Sequence, residues 1–185
     1  MPDSKDDSAF QWRLKGKCHK FGHDMGHDGP VMNFKYVIDR VTDPAVLIPH
    51  LFEESDPDFR ARAKRGDIII AGRNFGKGKA HVQGYIAMQA LGIGMLCESM
   101  PFLTYRGAIS VGLMLMAECV GVSEMADSGD DIDVDFTTGQ FINLTRGIKH
   151  EFAPIPEGLR DTVRLGGTKG VLQHWWETEG RKAAA

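Results

Sequence analysis

The chain has 185 residues, 42% of them hydrophobic and 25% charged, with a formal net charge of −3 at pH 7. That balance suits one domain with a real core and argues against a large nucleic-acid surface. Its three cysteines, Cys18, Cys97 and Cys119, form no CxxC pair and are too few for the usual four ligands of an iron–sulfur cluster, which points to reduced thiols in a cytoplasm.

Residues 1–10 are polar and acidic, carry no apolar signal segment and read as a disordered tail. Residues 12–21 alternate polar and apolar, as a first strand does. The glycines and Pro30 of 22–30 make a loop. Thr42-Asp43-Pro44 opens a helix over 42–54, with proline at an early helical position. Asp56-Pro57 opens a second, closed by Gly66. Residues 67–71 are a continuous β-branched run and read as a buried strand. A helix over 80–91, a strand over 92–98 and a helix over 100–113 follow, then the apolar run 114–120. This rhythm predicts a partly parallel sheet with right-handed crossovers. Beyond Gly121 the alternation around Thr138-Gly139 marks a β-hairpin. A helix follows, stopped by Gly166-Gly167. A last helical segment carries Trp175-Trp176, a packing or subunit contact, and the end of the chain (179–185) reads as a frayed tail. No stretch approaches the roughly 20 apolar residues of a membrane span. The expectation is an α/β domain over 11–178 that engages neither membrane nor nucleic acid.

The segment 66–81, GDIIIAGRNFGKGKAH, carries the chemistry. A glycine loop between a strand and a helix aims backbone N–H groups toward the positive end of the helix dipole. Lys77, Lys79 and His81 add to that potential, so the expected ligand is a small anion. Two phosphate motifs fail. A Walker A counted from Gly72 puts Lys77 where glycine belongs, and a dinucleotide fingerprint from Gly76 and Gly78 puts His81 there. A carboxylate is favoured over a nucleotide.

Taken in order, Thr42-Asp43-Pro44, Asp56-Pro57, GDIIIAGRNFGKG, YRGAISVGL, GDDIDVDFTTGQFINLT and FAPIPEGLRDTVRLGG resemble the small subunit of 3-isopropylmalate dehydratase. More broadly they resemble the swivelling domain of the aconitase superfamily, over roughly residues 14–173. The resemblance implies a swivelling β/β/α domain: a mixed sheet flanked by helices. It also implies a partner large subunit holding a [4Fe–4S] cluster, whose open iron acts as a Lewis acid. The reaction is reversible dehydration and hydration of a hydroxy di- or tricarboxylate, with no cluster bound by this chain.

The family loop reads Asn-Phe-Gly-Cys-Gly-Ser-Ser-Arg-Glu-His. Here Lys79 stands at the catalytic serine, Ala80 at the second serine and His81 at the carboxylate-gripping arginine. Three assignments stay open. Lys79 is the base, its pKa lowered by neighbouring cations and partial desolvation, with His81 gripping a carboxylate or relaying protons. Or the subunit is a non-catalytic carboxylate-binding or regulatory partner that has lost the serine. Or Lys79 grips a carboxylate and the base lies elsewhere. Gly76, Lys77, Gly78 and Ala80 are expected around the substrate. The family's acidic loop is replaced by His23-Asp24 and His27-Asp28, expected at the site rim. His19, His23 and His27 are four apart, but the glycines between them argue against a helix and a metal site. Lys35-Tyr36-Val37 falls near the family's substrate-recognition segment. Arg106 falls on a family arginine, paired with a structural carboxylate or touching substrate. Cys97 and Cys119, in apolar runs, read as core.

Overall fold

The structure is a computed structural model and describes residues 10–180. The tails expected over 1–10 and 179–185 lie outside it, apart from Phe10, Glu179 and Gly180. Strand β1 (Arg13–Phe21) leads through three short helices, α1 (Lys35–Ile38), α2 (Pro44–Leu47) and α3 (Phe59–Arg62), to β2 (Ile68–Ala71). Helix α4 (Gln83–Leu91) connects β2 to β3 (Gly94–Cys97), and α5 (Phe102–Ser110) connects β3 to β4 (Leu115–Met116). Then come β5 (Asp131–Asp135), β6 (Gln140–Asn143), β7 (Ile148–Glu151), α6 (Glu157–Arg164) and α7 (Thr168–Trp175). The seven strands form one sheet in the order β4-β3-β2-β1-β5-β6-β7. Pairing is parallel from β4 to β1 and antiparallel from β1 to β7. This mixed sheet flanked by helices is the architecture expected from the sequence.

Local sequence explains most elements. Residues 68–71 and 94–97 are buried throughout, as central parallel strands are. The β5–β6 hairpin turns at Thr138-Gly139 as expected. Gly139 has φ 80° and lies so close to the Phe152 carbonyl that no Cβ would fit.

The helices are shorter than the sequence suggests. Asp43 caps α2 by accepting the Ala45 N–H at 2.9 Å, but the helix ends at Leu47 and passes into a 3₁₀ turn over Ile48–His50. Pro49 has no N–H to continue the ladder. Helix α3 spans only four residues of the expected 56–65. There, tertiary packing overrides propensity: Phe21 stacks on Phe52 at 4.2 Å between centroids, and Phe52 meets Phe59 edge-on at 4.7 Å. Helix α4 begins three residues later than expected, and α5 occupies 102–110 rather than 100–113. The sequence reading did not anticipate α1, β4 or β7. Helix α7 and the turn that follows it leave Leu172, Trp175 and Trp176 exposed. Among the described residues no helix is long and apolar enough to cross a membrane.

A buried carboxylate clasps β1 to β2. Asp67, 4% exposed, accepts the Lys17 and Lys64 backbone N–H groups and His19 Nε2, each at 2.9 Å. Gly16 leaves the room, since a Cβ there would lie 2.7 Å from Asp67 Cα. His19 is thereby committed to the core, edge-on to Phe59 at 4.9 Å between centroids. Substituting Asp67→Ala orphans one buried and two part-buried donors at once and should cost about 3 kcal/mol. The urea midpoint should fall with an unchanged m-value; a variant as stable as the parent would contradict the clasp.

Candidate active site

Strands β1 and β2 run parallel and adjacent, so the loops leaving their carboxyl ends, 22–30 and 72–82, emerge side by side. Such ends are where open α/β sheets bind ligands. Backbone contacts tie the two loops together. Asp24 N–H donates to the Arg73 carbonyl at 2.8 Å, and Gly76 N–H to that of Met25 at 2.7 Å. Beyond β3, Ser99 holds the second loop from the other side: its hydroxyl accepts the Asn74 N–H at 2.9 Å and its carbonyl the Phe75 N–H at 3.0 Å. The sequence reading missed Ser99. Its signal was its place just past the carboxyl end of the next parallel strand.

Phe75 is buried and plugs the loop into the core. Gly76 has φ 73°, and a Cβ there would lie 2.3 Å from the Tyr85 hydroxyl. The Thr104 hydroxyl donates to the Gly76 carbonyl at 3.0 Å. From here the chain opens outward: Lys77, Gly78, Lys79 and Ala80 are exposed. Lys79 has no side-chain partner among the described residues. Lys77 lies 3.8 Å from Asp24. Asn74 donates to Asp24 at 2.7 Å, and these neighbours hold Asp24 below the usual carboxylate range, the Asn74 hydrogen bond most of all.

The expected anion cup is narrower than a helix N-terminus. The Gly84 N–H at the start of α4 donates to His27 Nε2 at 3.1 Å, and Val82 N–H to the Gln83 side chain at 3.2 Å. The helix end is thus capped by the protein's own groups, with His27 buried at 1% exposure. The loop amides without an acceptor among the described residues include those of Gly78, Lys79 and Ala80. They belong to the exposed segment that carries Lys77 and Lys79.

The structure brings His27, Asp28 and His81 together. Asp28 Oδ1 lies 3.1 Å from His27 Nδ1 and 2.7 Å from His81 Nδ1. Burial alone would push the Asp28 carboxyl up, but hydrogen bonds from His81 and His27 outweigh it and hold the group below its ordinary value. The Phe34 ring stands 5.8 Å from His81, centroid to centroid. One ligand atom from each of the three residues lies within 4.8 Å of the others, close enough for a metal ion. Yet His27 spends its Nε2 lone pair on a backbone N–H and so carries its proton on Nδ1, leaving no lone pair for a metal.

The other expected residues separate. His23 accepts the Arg73 N–H at Nδ1 (2.9 Å), and a Cβ at Gly72 would lie 2.3 Å from that nitrogen. His23 and Asp24 therefore brace the loop. Arg106 pairs with no carboxylate among the described residues and lies over the Phe102 ring, 5.7 Å from its centroid. It lines an open groove of about 530 Å³ that reaches Ala80. Tyr36 of the Lys35-Tyr36-Val37 segment is buried in α1 against His50.

The cysteines do not fit an iron–sulfur cluster. All three are buried. Burial above all pushes the Cys18 and Cys119 thiols up to about 12 and raises Cys97 as well, so none is a ready thiolate.

No family model matches the chain. It is 34% identical over 155 residues to the 3-isopropylmalate dehydratase small subunit of Moorella thermoacetica, across 83% of this chain and 91% of that one. It is 35% identical over 161 residues to the isopropylmalate/citramalate isomerase small subunit of Methanocaldococcus jannaschii, across 86% and 94%. Among solved structures it is similar to the crystal structure of 3-isopropylmalate dehydratase from Methanocaldococcus jannaschii. The TM-score is 0.80 at 28% identity, over 92% of this chain and 99% of that one.

The buried His27 gives a pH signature. Burial holds its imidazole below the ordinary value of 6.5, the Asp28 hydrogen bond offsetting only part of that. The unfolded chain therefore takes up this proton at higher pH than the folded one. Its contribution to stability is whole above about 6.5 and drains as pH falls toward the folded value. His27→Gln keeps an acceptor for Gly84 and removes the titration. Urea unfolding should show a smaller loss of stability from pH 7 to pH 5 in the variant than in the parent, and an equal loss would contradict this account.

Proposed function

The chain belongs to the family of 3-isopropylmalate dehydratase small subunits, and from that premise we propose that it closes over the active site of an iron–sulfur hydro-lyase. The reaction is reversible dehydration and hydration of a hydroxy di- or tricarboxylate. The relatives are named for isopropylmalate and citramalate, and both are hydroxy-dicarboxylates. The open amides of Gly78, Lys79 and Ala80, flanked by two lysines and by a histidine fixed on Asp28, carry the reading. Such a surface offers hydrogen-bond donors and positive charge to a carboxylate and a proton acceptor beside it.

The cluster belongs to a partner large subunit, because this chain's thiols are unfit to hold it. When bound there, its open iron supplies Lewis acidity to the substrate hydroxyl. This chain binds a carboxylate with Lys79, Lys77 and the loop amides, and handles a proton next to that carboxylate. Lys79 occupies the place of the family's serine base and His81 that of its arginine, so the two side chains facing the substrate have changed together. Arg106, across the groove from Ala80, suits a more distant substrate group. His23 and Asp24 keep the loop in shape for the ligand, and Asp28 holds His81. The exposed Leu172, Trp175 and Trp176 suit a subunit contact. Three reduced, buried thiols fit a cytoplasmic enzyme. The net charge of −3, with cations concentrated in one loop, suits a small carboxylate rather than a nucleic acid.

Co-expression with a cluster-bearing large subunit should give a stable complex that equilibrates hydroxyacids with their dehydrated forms, 3-isopropylmalate and citramalate among the probes. Lys79→Ala should leave the complex intact and lower kcat/KM by about 100-fold or more. A complex that forms but turns over no hydroxyacid would reject the enzymatic reading.

A further inference from the structure

Resting on the hydro-lyase reading, we infer that the two changed side chains divide the work between them. His81 Nε2 transfers the proton, and Lys79 is a fixed charge for a substrate carboxylate. Asp28 and His27 are positioning residues for His81. Hydrogen-bond direction assigns these roles, starting from a group that cannot titrate, the backbone N–H of Gly84. That N–H points at His27 Nε2 at 3.1 Å, so Nε2 must be the acceptor nitrogen. The ring proton of His27 then sits on Nδ1, 3.1 Å from Asp28 Oδ1. Asp28 is an ionised carboxylate and accepts only. The same oxygen lies 2.7 Å from His81 Nδ1, which must therefore be the donor. By exclusion, neutral His81 keeps its lone pair on Nε2. A helix amide has set the tautomer of a histidine through two intervening side chains.

The environment favours this assignment. A carboxylate behind an imidazole fixes its orientation and stabilises the imidazolium that forms when Nε2 takes a proton. The ionisable groups seen in contact with His81 are Asp28 and, beyond it, His27 of the first loop; the Phe34 ring beside it carries no charge. Lys79, by contrast, is exposed and has neither a burying surface nor a hydrogen-bond acceptor to orient it. A mobile ammonium on a long stem suits a carboxylate better than a stereospecific proton transfer.

In the dehydrating direction the C–H electron pair beside the carboxylate becomes the carbon–carbon π bond, and the proton passes to His81 Nε2. The hydroxyl on the neighbouring carbon leaves with the C–O electron pair, and one proton from solvent turns it into water. The substrate loses H2O, and the imidazolium holds one proton until it returns it to carbon on hydration or to solvent.

Two measurements separate this assignment from a lysine base. In the two-subunit enzyme assayed with 3-isopropylmalate and citramalate, His81→Gln should lose at least about 100-fold in kcat. Lys79→Arg should stay within about tenfold of the parent, and the loss in Lys79→Ala should appear chiefly in KM. Asp28→Asn should lower kcat, because the carboxylate that accepts from His81 Nδ1 and orients the ring is gone. Lys79→Arg as inactive as Lys79→Ala, with His81→Gln still turning over, would overturn the assignment. Independently of turnover, ¹⁵N-imidazole NMR of the full chain should show the neutral form of His81 protonated at Nδ1 and bare at Nε2, a preference lost in Asp28→Asn. The opposite tautomer in the parent overturns it. A parent enzyme that turns over no hydroxyacid counts against the hydro-lyase reading instead, and the spectra still decide the tautomer.

Discussion

Cys18 faces Ile68 and Phe21 faces Ala71 across two parallel strands, and this register decides which loops can meet. Because β1 and β2 end at the same level, residues 22–30 and 72–82 leave the sheet together. The backbone hydrogen bonds from Asp24 to Arg73 and from Gly76 to Met25 extend that pairing beyond the last strand residues. A one-residue slip would turn every side chain of β2 to the other face of the sheet. Asp67 guards against it by accepting backbone N–H groups on both sides of the junction. The buried carboxylate near the amino end of β2 and the site beyond its carboxyl end are coupled through four residues of strand.

The site itself contains little that is soft. Phe75 is buried, Gly76 rests on the Tyr85 hydroxyl and Ser99 pins Asn74 and Phe75. Only residues 77–80 rise clear of this base. The division is useful to an enzyme whose cluster sits on another polypeptide. The frame must survive in the free subunit, while the tips must adapt to a partner and a substrate. The trio of His27, Asp28 and His81 belongs to the frame. Its charges are balanced by hydrogen bonds in a half-buried place, where an unpaired carboxylate would be costly.

The loop's close-packed glycine is held by sterics, and its exposed side chains are not. Gly76 cannot change without displacing Tyr85 or Thr104, so sterics fix the loop backbone there. Lys79 projects from that backbone into solvent, where substitution costs the fold little, whereas His81 is held by Asp28. Chemistry is therefore free to vary on a fixed scaffold.

What the sequence by itself determined was the rhythm of strands and helices, the β5–β6 hairpin, the glycine framework of the loop and its failure as a phosphate motif. It also named Lys79 and His81, with Gly76, Lys77, Gly78, Ala80, His23, Asp24, His27, Asp28 and Arg106, as candidates for the site. These follow from local rules, such as β-branched runs, proline and glycine punctuation and motif spacing, which act within a dozen residues. The helices over 42–65 were over-read because Pro49 and the stack of Phe21, Phe52 and Phe59 outweigh local propensity. Strands β4 and β7 carry too few residues to show a period. Only the tertiary structure decided that His19 belongs to Asp67 in the core, that His27 caps α4, and that Asp28 reaches both His27 and His81. Asp28 and His81 are 53 residues apart, and no periodicity encodes a hydrogen bond between loops that meet only because two strands pair.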